Sequence, residues 1–200
     1  MKIILTVLIA LGSFFTLQKI IPTNEEFEIY ESTVRLHVLA NSDSESDQEL
    51  KLKVRDAVLE MVSQMDADTK DEAVEEIESN KEKIEALAAS VIQREGFEYT
   101  VNVEVGKEIY PTRYYEDFAL PAGEYTSVKI IIGEGSGQNW WCVLYPPLCT
   151  SAAMTYDEEY CTEVGLTKGQ YNLITENQSG EYKIKFRILE LVQEVFGFGE

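Results

Sequence analysis

Few side chains of this chain could do acid–base or nucleophilic chemistry. His37, the single histidine, would need an oriented nucleophile or carboxylate to act as a general base, and its neighbours in sequence offer none. Asp43 and Asp47 could supply an acid and a base. Their segment does not fit a calcium-binding loop, because it lacks the required glycine and the final glutamate. We expect no catalytic residue, no cofactor and no metal, and a structural or surface role for His37.

The three cysteines indicate a disulfide rather than a zinc site. Together with His37 they would make four ligands, but no two of them have the Cys-x2-Cys spacing of zinc proteins. Outside the cytosol a cysteine pair tends to be oxidised, and Cys142 and Cys149 enclose a short segment. We therefore predict a Cys142–Cys149 disulfide. Cys161 is left to stay free or to compete as a partner.

Aromatic residues, prolines and cysteines are concentrated in residues 138–149. Trp140 and Trp141 are adjacent, so on a strand their side chains must point to opposite faces. Pro146 and Pro147 lack an N–H and should end regular pairing. The segment predicts a rigid aromatic surface or a pocket wall.

Charge and the N-terminal segment bear on location. The formal net charge is −19, which disfavours nucleic acid and anionic lipid as partners. Residues 1–21 have a lysine followed by an apolar block, the pattern of an export signal or an N-terminal membrane anchor. Residues 22–33 are acidic and polar and predict a tether. A core domain over 34–149 and a C-terminal extension over 150–200 that packs on the core would complete the chain.

Two long helices are predicted after the first strand. A capping box at 46–49, with Ser46 as the N-cap, begins a helix over about 47–65. A second capping box begins at Thr69 and opens a helix that runs to about Arg94. Gly96 is a natural stop for this second helix. Apolar residues at helical spacing form one stripe on each helix: Leu50, Val54, Ala57, Val58, Met61 and Met65 on the first, and Val74, Ile77, Ile84, Leu87, Ala88 and Val91 on the second.

Alternating apolar residues predict four strands, at 34–40, 99–105, 125–132 and 139–145. In the first, Val34, Leu36, Val38 and Ala40 share one face. The glycine-rich loop 133–137 precedes no helix and lacks a Gly-Lys-Ser/Thr element, so it predicts a tight, mobile turn and not a phosphate site. A connection this short makes 139–145 antiparallel to 125–132.

The C-terminal part changes in character. Residues 150–182 are polar and irregular, and 183–196 regain a pattern that predicts a strand-like start and a final helix. The resulting fold class is α+β with two layers: a small, mostly antiparallel sheet packed on two long antiparallel helices, with a C-terminal helix.

Three blocks of the sequence resemble the stage II sporulation protein R family of endospore-forming bacteria. The first block is Arg-Leu-His-Val-Leu-Ala-Asn-Ser-Asp-Ser at 35–44, continued through 47–56. The second comprises Tyr-Pro-Thr at 110–112 and Leu-Pro-Ala-Gly-Glu-Tyr at 120–125, and the third is the segment 139–149. The resemblance covers about residues 34–149, with a looser match at 183–190. It departs in 150–182, which leaves the role of Cys161 open.

The resemblance implies an intercellular signal. Family members are exported from the forespore into the space between the two sporulation compartments. There they activate a membrane-embedded aspartic protease that processes pro-sigma-E in the mother cell. The family has no established catalytic residues, so the resemblance implies a secreted ligand, not an enzyme. It would contact the extracytoplasmic face of the protease and touch membrane only through its N-terminal segment.

Aromatic anchors carry much of the binding energy at interfaces, which directs attention to the 139–147 segment and the nearby polar loop. We expect partner contacts at Asn41, Ser42, Asp43, Asn139, Trp140, Trp141, Tyr145, Pro146 and Pro147.

Two other functions remain as alternatives. A secreted hydrolase could use His37 with the Asp43 and Asp47 pair, although acidic residues here fall mainly at helix starts and on polar faces. A cell-wall-binding module could stack sugars on Trp140 and Trp141, but adjacent strand residues cannot present two rings on one face.

Overall fold

The computed structural model describes residues 24–115, 118–148 and 157–176. Within these ranges the chain forms six helices and six strands, in the order α1 Asn24–Ser32, β1 Val34–Leu39, α2 Glu45–Val62, α3 Lys70–Ser79, α4 Lys81–Arg94, β2 Val101–Tyr110, β3 Arg113–Tyr114, β4 Ala119–Leu120, β5 Gly123–Ile132, β6 Asn139–Tyr145, α5 Glu158–Glu163 and α6 Lys168–Glu176. No helix in the described part is both long and apolar enough to cross a bilayer.

The main sheet has the strand order β2-β5-β1-β6. β2 pairs antiparallel with β5, β1 runs parallel to β5, and β6 runs antiparallel to β1. The α+β class and the mostly antiparallel sheet are confirmed. β3 and β4 form a separate two-stranded ribbon.

β6 runs antiparallel to β5, as predicted, but it does not bond to β5, because β1 lies between them. Every residue from Val34 to Val38 is buried, so β1 is suited to the middle of a sheet covered on both faces. The connection is short, but residues 133–138 cross the end of β1 instead of closing a hairpin.

One face of the sheet packs on helices α2, α3 and α4. The strand residues of this first core alternate along β1, as predicted, and include Val34, Leu36 and Val38. The helices contribute the predicted apolar stripes, among them Leu50, Val54, Val58, Ile84, Ala88 and Val91. Burying each large aliphatic side chain contributes about 1.5–3 kcal/mol before entropy is counted.

The opposite face carries a second core, which the sequence did not predict. It joins Tyr110, Tyr125 and Val143 of the sheet to residues of α1, α5 and α6. Residues 24–32, which fall within the predicted tether, form α1, because Ile29 and Tyr30 supply an apolar face that is buried against the sheet. Residues 158–176 fall in the range expected to be irregular and contain two helices. The predicted final helix over 183–196 lies outside the described residues.

The helix boundaries differ from prediction at two points. Ser44, and not Ser46, caps α2, because its side chain accepts from the N–H of Asp47. The predicted second helix is divided at Asn80 into α3 and α4. Thr69 caps α3 as predicted, and Gly96 ends α4 with a φ of 85°, a conformation that glycine adopts without strain.

Candidate functional site

The glycine-rich loop is bound to the segment that follows β1. The N–H of Glu134 donates to the Asn41 side-chain oxygen at 3.0 Å, and the Ser136 hydroxyl donates to the Asn41 carbonyl at 2.6 Å. The N–H of Gln138 donates to the Asp43 carboxylate at 2.7 Å. The two predicted contact segments, 41–43 and 139–141, therefore lie side by side, and these bonds argue against the mobility predicted for the turn.

Asp47 and Lys51 hold this junction from the first turns of α2. The Asp47 carboxylate accepts from Asn41 at 3.0 Å and from Ser42 at 2.6 Å. Burial alone would raise the pKa of Asp47, but these hydrogen bonds outweigh it and lower the pKa below its ordinary value. The buried Lys51 ammonium donates to the Gln138 carbonyl at 2.8 Å. Asn41 and Ser42 thus have structural partners inside the molecule.

Trp140 projects into solvent from the face of β6 that lies on the side of α2. Its side chain is 37% exposed, and the Arg55 guanidinium of α2 lies 4.2 Å from the centre of its ring. Gln138 and Asn139 precede it and are also exposed. We call Asp43, Arg55, Gln138, Asn139 and Trp140 the Trp140 surface.

Trp141 points to the opposite face, as the alternation of strand side chains predicts. Its ring stacks on His37 with centroids 3.7 Å apart and meets the edge of Tyr110 at 4.6 Å. Trp141 packs against the second core and is half-buried. Of the two tryptophans, only Trp140 offers a large exposed ring.

His37 joins the edge of the Trp140 surface to the interior of the sheet. Its Nδ1 donates to the Glu108 carboxylate at 3.0 Å, and its Nε2 lies 2.9 Å from the Asn139 side-chain oxygen. The predicted structural role fits this position, although the ring is buried and not at the surface. The carboxylate that orients it comes from β2, far along the chain.

Glu108 is the centre of a polar network on the second face of the sheet. It accepts from His37, from the Ser127 hydroxyl at 2.9 Å and from the Lys129 ammonium at 3.0 Å. Burial raises its pKa, but the hydrogen bonds from His37, Lys129 and Ser127 outweigh burial and lower the pKa to about 2. Glu108 is therefore ionised and held in place at neutral pH.

Arg35 is a second buried charge that sequence reasoning missed. Its guanidinium lies 4.4 Å from the Tyr110 ring and 4.9 Å from the Tyr125 ring, and Nε donates to the Cys142 carbonyl at 3.0 Å. Among the described residues no carboxylate forms an ion pair with it. Aromatic faces and neutral acceptors stabilise this cation instead. The alternation on β1 could have flagged Arg35, since it lies between two core residues.

The remaining predicted contact residues lie at the other end of β6. The Tyr145 hydroxyl donates to the Asp68 carbonyl at 2.8 Å, Pro146 is buried, and Pro147 is half-buried. A cis peptide bond joins Tyr145 to Pro146. The nine predicted residues thus fall into three groups. Asp43, Asn139 and Trp140 lie on the Trp140 surface, and Tyr145, Pro146 and Pro147 lie at the other end of β6. Asn41, Ser42 and Trp141 are engaged within the molecule.

The geometry gives no support to the hydrolase alternative. Ser127 bonds to Glu108 and to Tyr110, so the hydroxyl is not paired with His37 as a nucleophile would be with its base. Asp43 and Asp47 are both engaged in hydrogen bonds that shape the loop. In the described ranges no three His, Cys, Asp or Glu side chains are grouped to hold a metal ion.

The cysteine prediction is open in part. Cys142 is buried in the first core, and Cys149 lies outside the described residues, so their disulfide stays a prediction. Cys161 is a buried, free cysteine on α5. Burial raises the pKa of its thiol.

These features define a small α+β domain with an exposed aromatic surface at one edge of a mixed sheet. Residues 30–155 match the model of the family described as stage II sporulation protein R. The Stage II sporulation protein R of Bacillus subtilis (strain 168) is 40% identical over 144 residues, which are 71% of this chain and 63% of that protein. The chain belongs to the stage II sporulation protein R family and has a role in sporulation.

Two further findings concern the comparison with known proteins. The chain aligns with less than two thirds of the length of the Bacillus subtilis relative. No solved structure matches the chain.

Proposed function

We propose that this protein is an exported sporulation signal that works by docking. In this proposal the forespore secretes it, and it activates the membrane-embedded aspartic protease that processes pro-sigma-E in the mother cell. The Trp140 surface contacts the extracytoplasmic face of that protease. The protein itself catalyses no reaction.

The observation that carries the proposal is the solvent exposure of Trp140 on a rigid support. Solvent surrounds more than a third of a side chain that would bury large apolar area in a complex. The Asn41 and Asp43 bonds fix the loop before it, and β1 fixes the strand behind it. A preorganised aromatic anchor loses little conformational entropy on binding.

The rim of the surface adds polar groups of both signs around the ring. Arg55 covers one side of the ring, and Asp43 and Asn139 lie on the loop and strand beside it. A large aromatic anchor within a polar rim is the usual composition of a protein interface. Membership of the sporulation family supports a partner that is present during sporulation.

The test replaces Trp140 with alanine in a sporulating host. Because the side chain is largely outside the core, we expect folding stability to change by about 1 kcal/mol or less. Loss of an interface anchor costs about 2 kcal/mol or more, which is roughly a 30-fold loss of affinity. Pro-sigma-E cleavage, followed by immunoblot, should fall sharply while the amount of exported protein is unchanged.

Tyr114→Ala is the matched control. Tyr114 is the other large hydrophobic residue that is exposed within the described ranges, at 53%, and lies on the β3–β4 ribbon. Its replacement should leave cleavage intact. Normal cleavage with Trp140→Ala, or an equal loss with Tyr114→Ala, would refute a specific role for the Trp140 surface.

A further inference from the structure

The outer edge of β2 lies at the end of the sheet opposite the Trp140 surface. β2 is the outermost strand on its side of the sheet and pairs with β5 from Val101 to Tyr110. A long strand at the edge of a sheet presents backbone donors and acceptors to any extended chain that approaches.

Two hydrogen bonds show which backbone groups of β2 point outward. The Thr100 carbonyl accepts from Gly133 at 2.8 Å, so even-numbered residues bond across to β5. The N–H of Val103 donates at 3.2 Å to Glu85 on α4, away from β5. Bonded and non-bonded positions alternate in an antiparallel pair, so Val101 and Val105 also face outward. Their outward backbone groups have no hydrogen bond within the described part of the chain.

An acidic groove runs beside this edge, between α4 and the start of β2. It has a volume of about 870 Å³, and its walls include the carboxylates of Glu82, Glu85 and Glu98. Phe97 and Tyr99 provide aromatic surface, and no lysine or arginine lines the groove. Glu104 adds an exposed carboxylate on the other face of the same strand.

We propose that the outer edge of β2 binds an extended, basic segment of a partner polypeptide as a fifth strand. Strand addition supplies backbone hydrogen bonds at Val101 and Val105 and replaces Glu85 at the Val103 N–H, and alternate side chains supply the selectivity. Lysine or arginine side chains of the added strand would enter the groove beside Glu82 and Glu98. This site is separate from the Trp140 surface and does not depend on the proposed function.

The charges favour a foreign basic segment over a second copy of the chain. Two β2 edges placed together would bring the same carboxylates to one seam, on two chains that each have a net charge of −19. At the far end of the edge, Lys107 lies 3.6 Å from the Glu31 carboxylate of α1. A cationic strand would therefore end before Lys107.

The test measures binding of a fluorescent, blocked seven-residue peptide that alternates lysine and valine to the full chain, by anisotropy at low and at physiological salt. We expect binding that weakens with salt and that a peptide with glutamate in place of lysine does not show. Double reversal, Glu82→Lys with Glu98→Lys, should weaken binding at least tenfold. The control reverses Glu60 and Glu78, two exposed helix carboxylates outside the groove, and should retain most of the binding.

A second variant tests strand addition itself. Val105→Pro removes an outward N–H that is not part of the β2–β5 ladder, so the fold should persist, as circular dichroism would show. Binding should be lost although every carboxylate remains. If Val105→Pro does not fold, the comparison between the two double charge reversals alone decides whether the groove binds the peptide. Three results would overturn the proposal. They are equal weakening of binding by the two double reversals, undiminished binding of the peptide by a folded Val105→Pro chain, and a dimer through β2 in sedimentation.

Discussion

Replacing Glu108 with glutamine removes the ionised centre of the network that supports His37 and Asn139. The pKa of Glu108 is lowered from its ordinary 4.5 to about 2. Lowering the pKa of this carboxyl group from 4.5 to about 2 corresponds to about 3 kcal/mol of folding free energy. Because the side chain is 21% exposed, solvent screening reduces this, and we expect about 2 kcal/mol.

The pH dependence follows from the direction of the shift. The folded pKa is depressed, so the stabilisation is fully present above the unfolded pKa and is lost as pH falls from about 5 to about 2. Glu108→Gln should therefore be less stable than the parent by about 2 kcal/mol at pH 7 and by less than half of that at pH 3.

The assay is urea unfolding of the full chain, followed by tryptophan fluorescence at both pH values. Glu104→Gln is the control, since this carboxylate is exposed on the same face of the same strand, with Asn102 as its hydrogen-bond donor. Glu104→Gln should change the free energy of unfolding by less than about 0.5 kcal/mol. A deficit for Glu108→Gln that is equal at pH 7 and pH 3 would refute the reasoning.

Three further predictions concern packing and accessibility. Gly137→Ala should destabilise the protein by about 2 kcal/mol or more in thermal unfolding, because the added Cβ would lie 2.2 Å from the Ser42 carbonyl oxygen. Gly106→Ala is the control and should have little effect, because the space around Gly106 is open. Trp141→Ala should cost about 3 kcal/mol in urea unfolding, several times the cost of Trp140→Ala, since the Trp141 ring stacks on His37 and packs against the second core; equal losses would contradict the assigned orientations. The Cys161 thiol is fully buried, so it should react with a thiol reagent only after denaturant is added. Rapid labelling of this residue in the native chain would contradict its burial.

The local pattern predicted much of the fold. Alternation along 34–40 identified which side chains of β1 enter the first core, and helical spacing identified the stripes on α2 and α4. Adjacent tryptophans had to diverge, and they do. These features depend only on short-range periodicity, which a sequence displays directly.

Long-range arrangement was not predictable in the same way. β1 lies between β5 and β6, and nothing in the loop 133–138 signals that it crosses the end of β1. The partner of His37, Glu108, is 71 residues away, so no local motif could reveal the pair. Ser44 and Ser46 both suit an N-cap, and the burial of Asp47 against Asn41 and Ser42 decides between them.

The central claim is that this protein acts by docking through the Trp140 surface. The most direct measurement adds purified full chain to the outside of vesicles that contain the membrane protease, with pro-sigma-E enclosed, and follows cleavage. We predict that the parent chain triggers cleavage and that the Trp140→Ala chain triggers little cleavage even in excess. The Tyr114→Ala chain should act like the parent. Cleavage that is independent of the added chain, or equal for all three chains, would contradict the account.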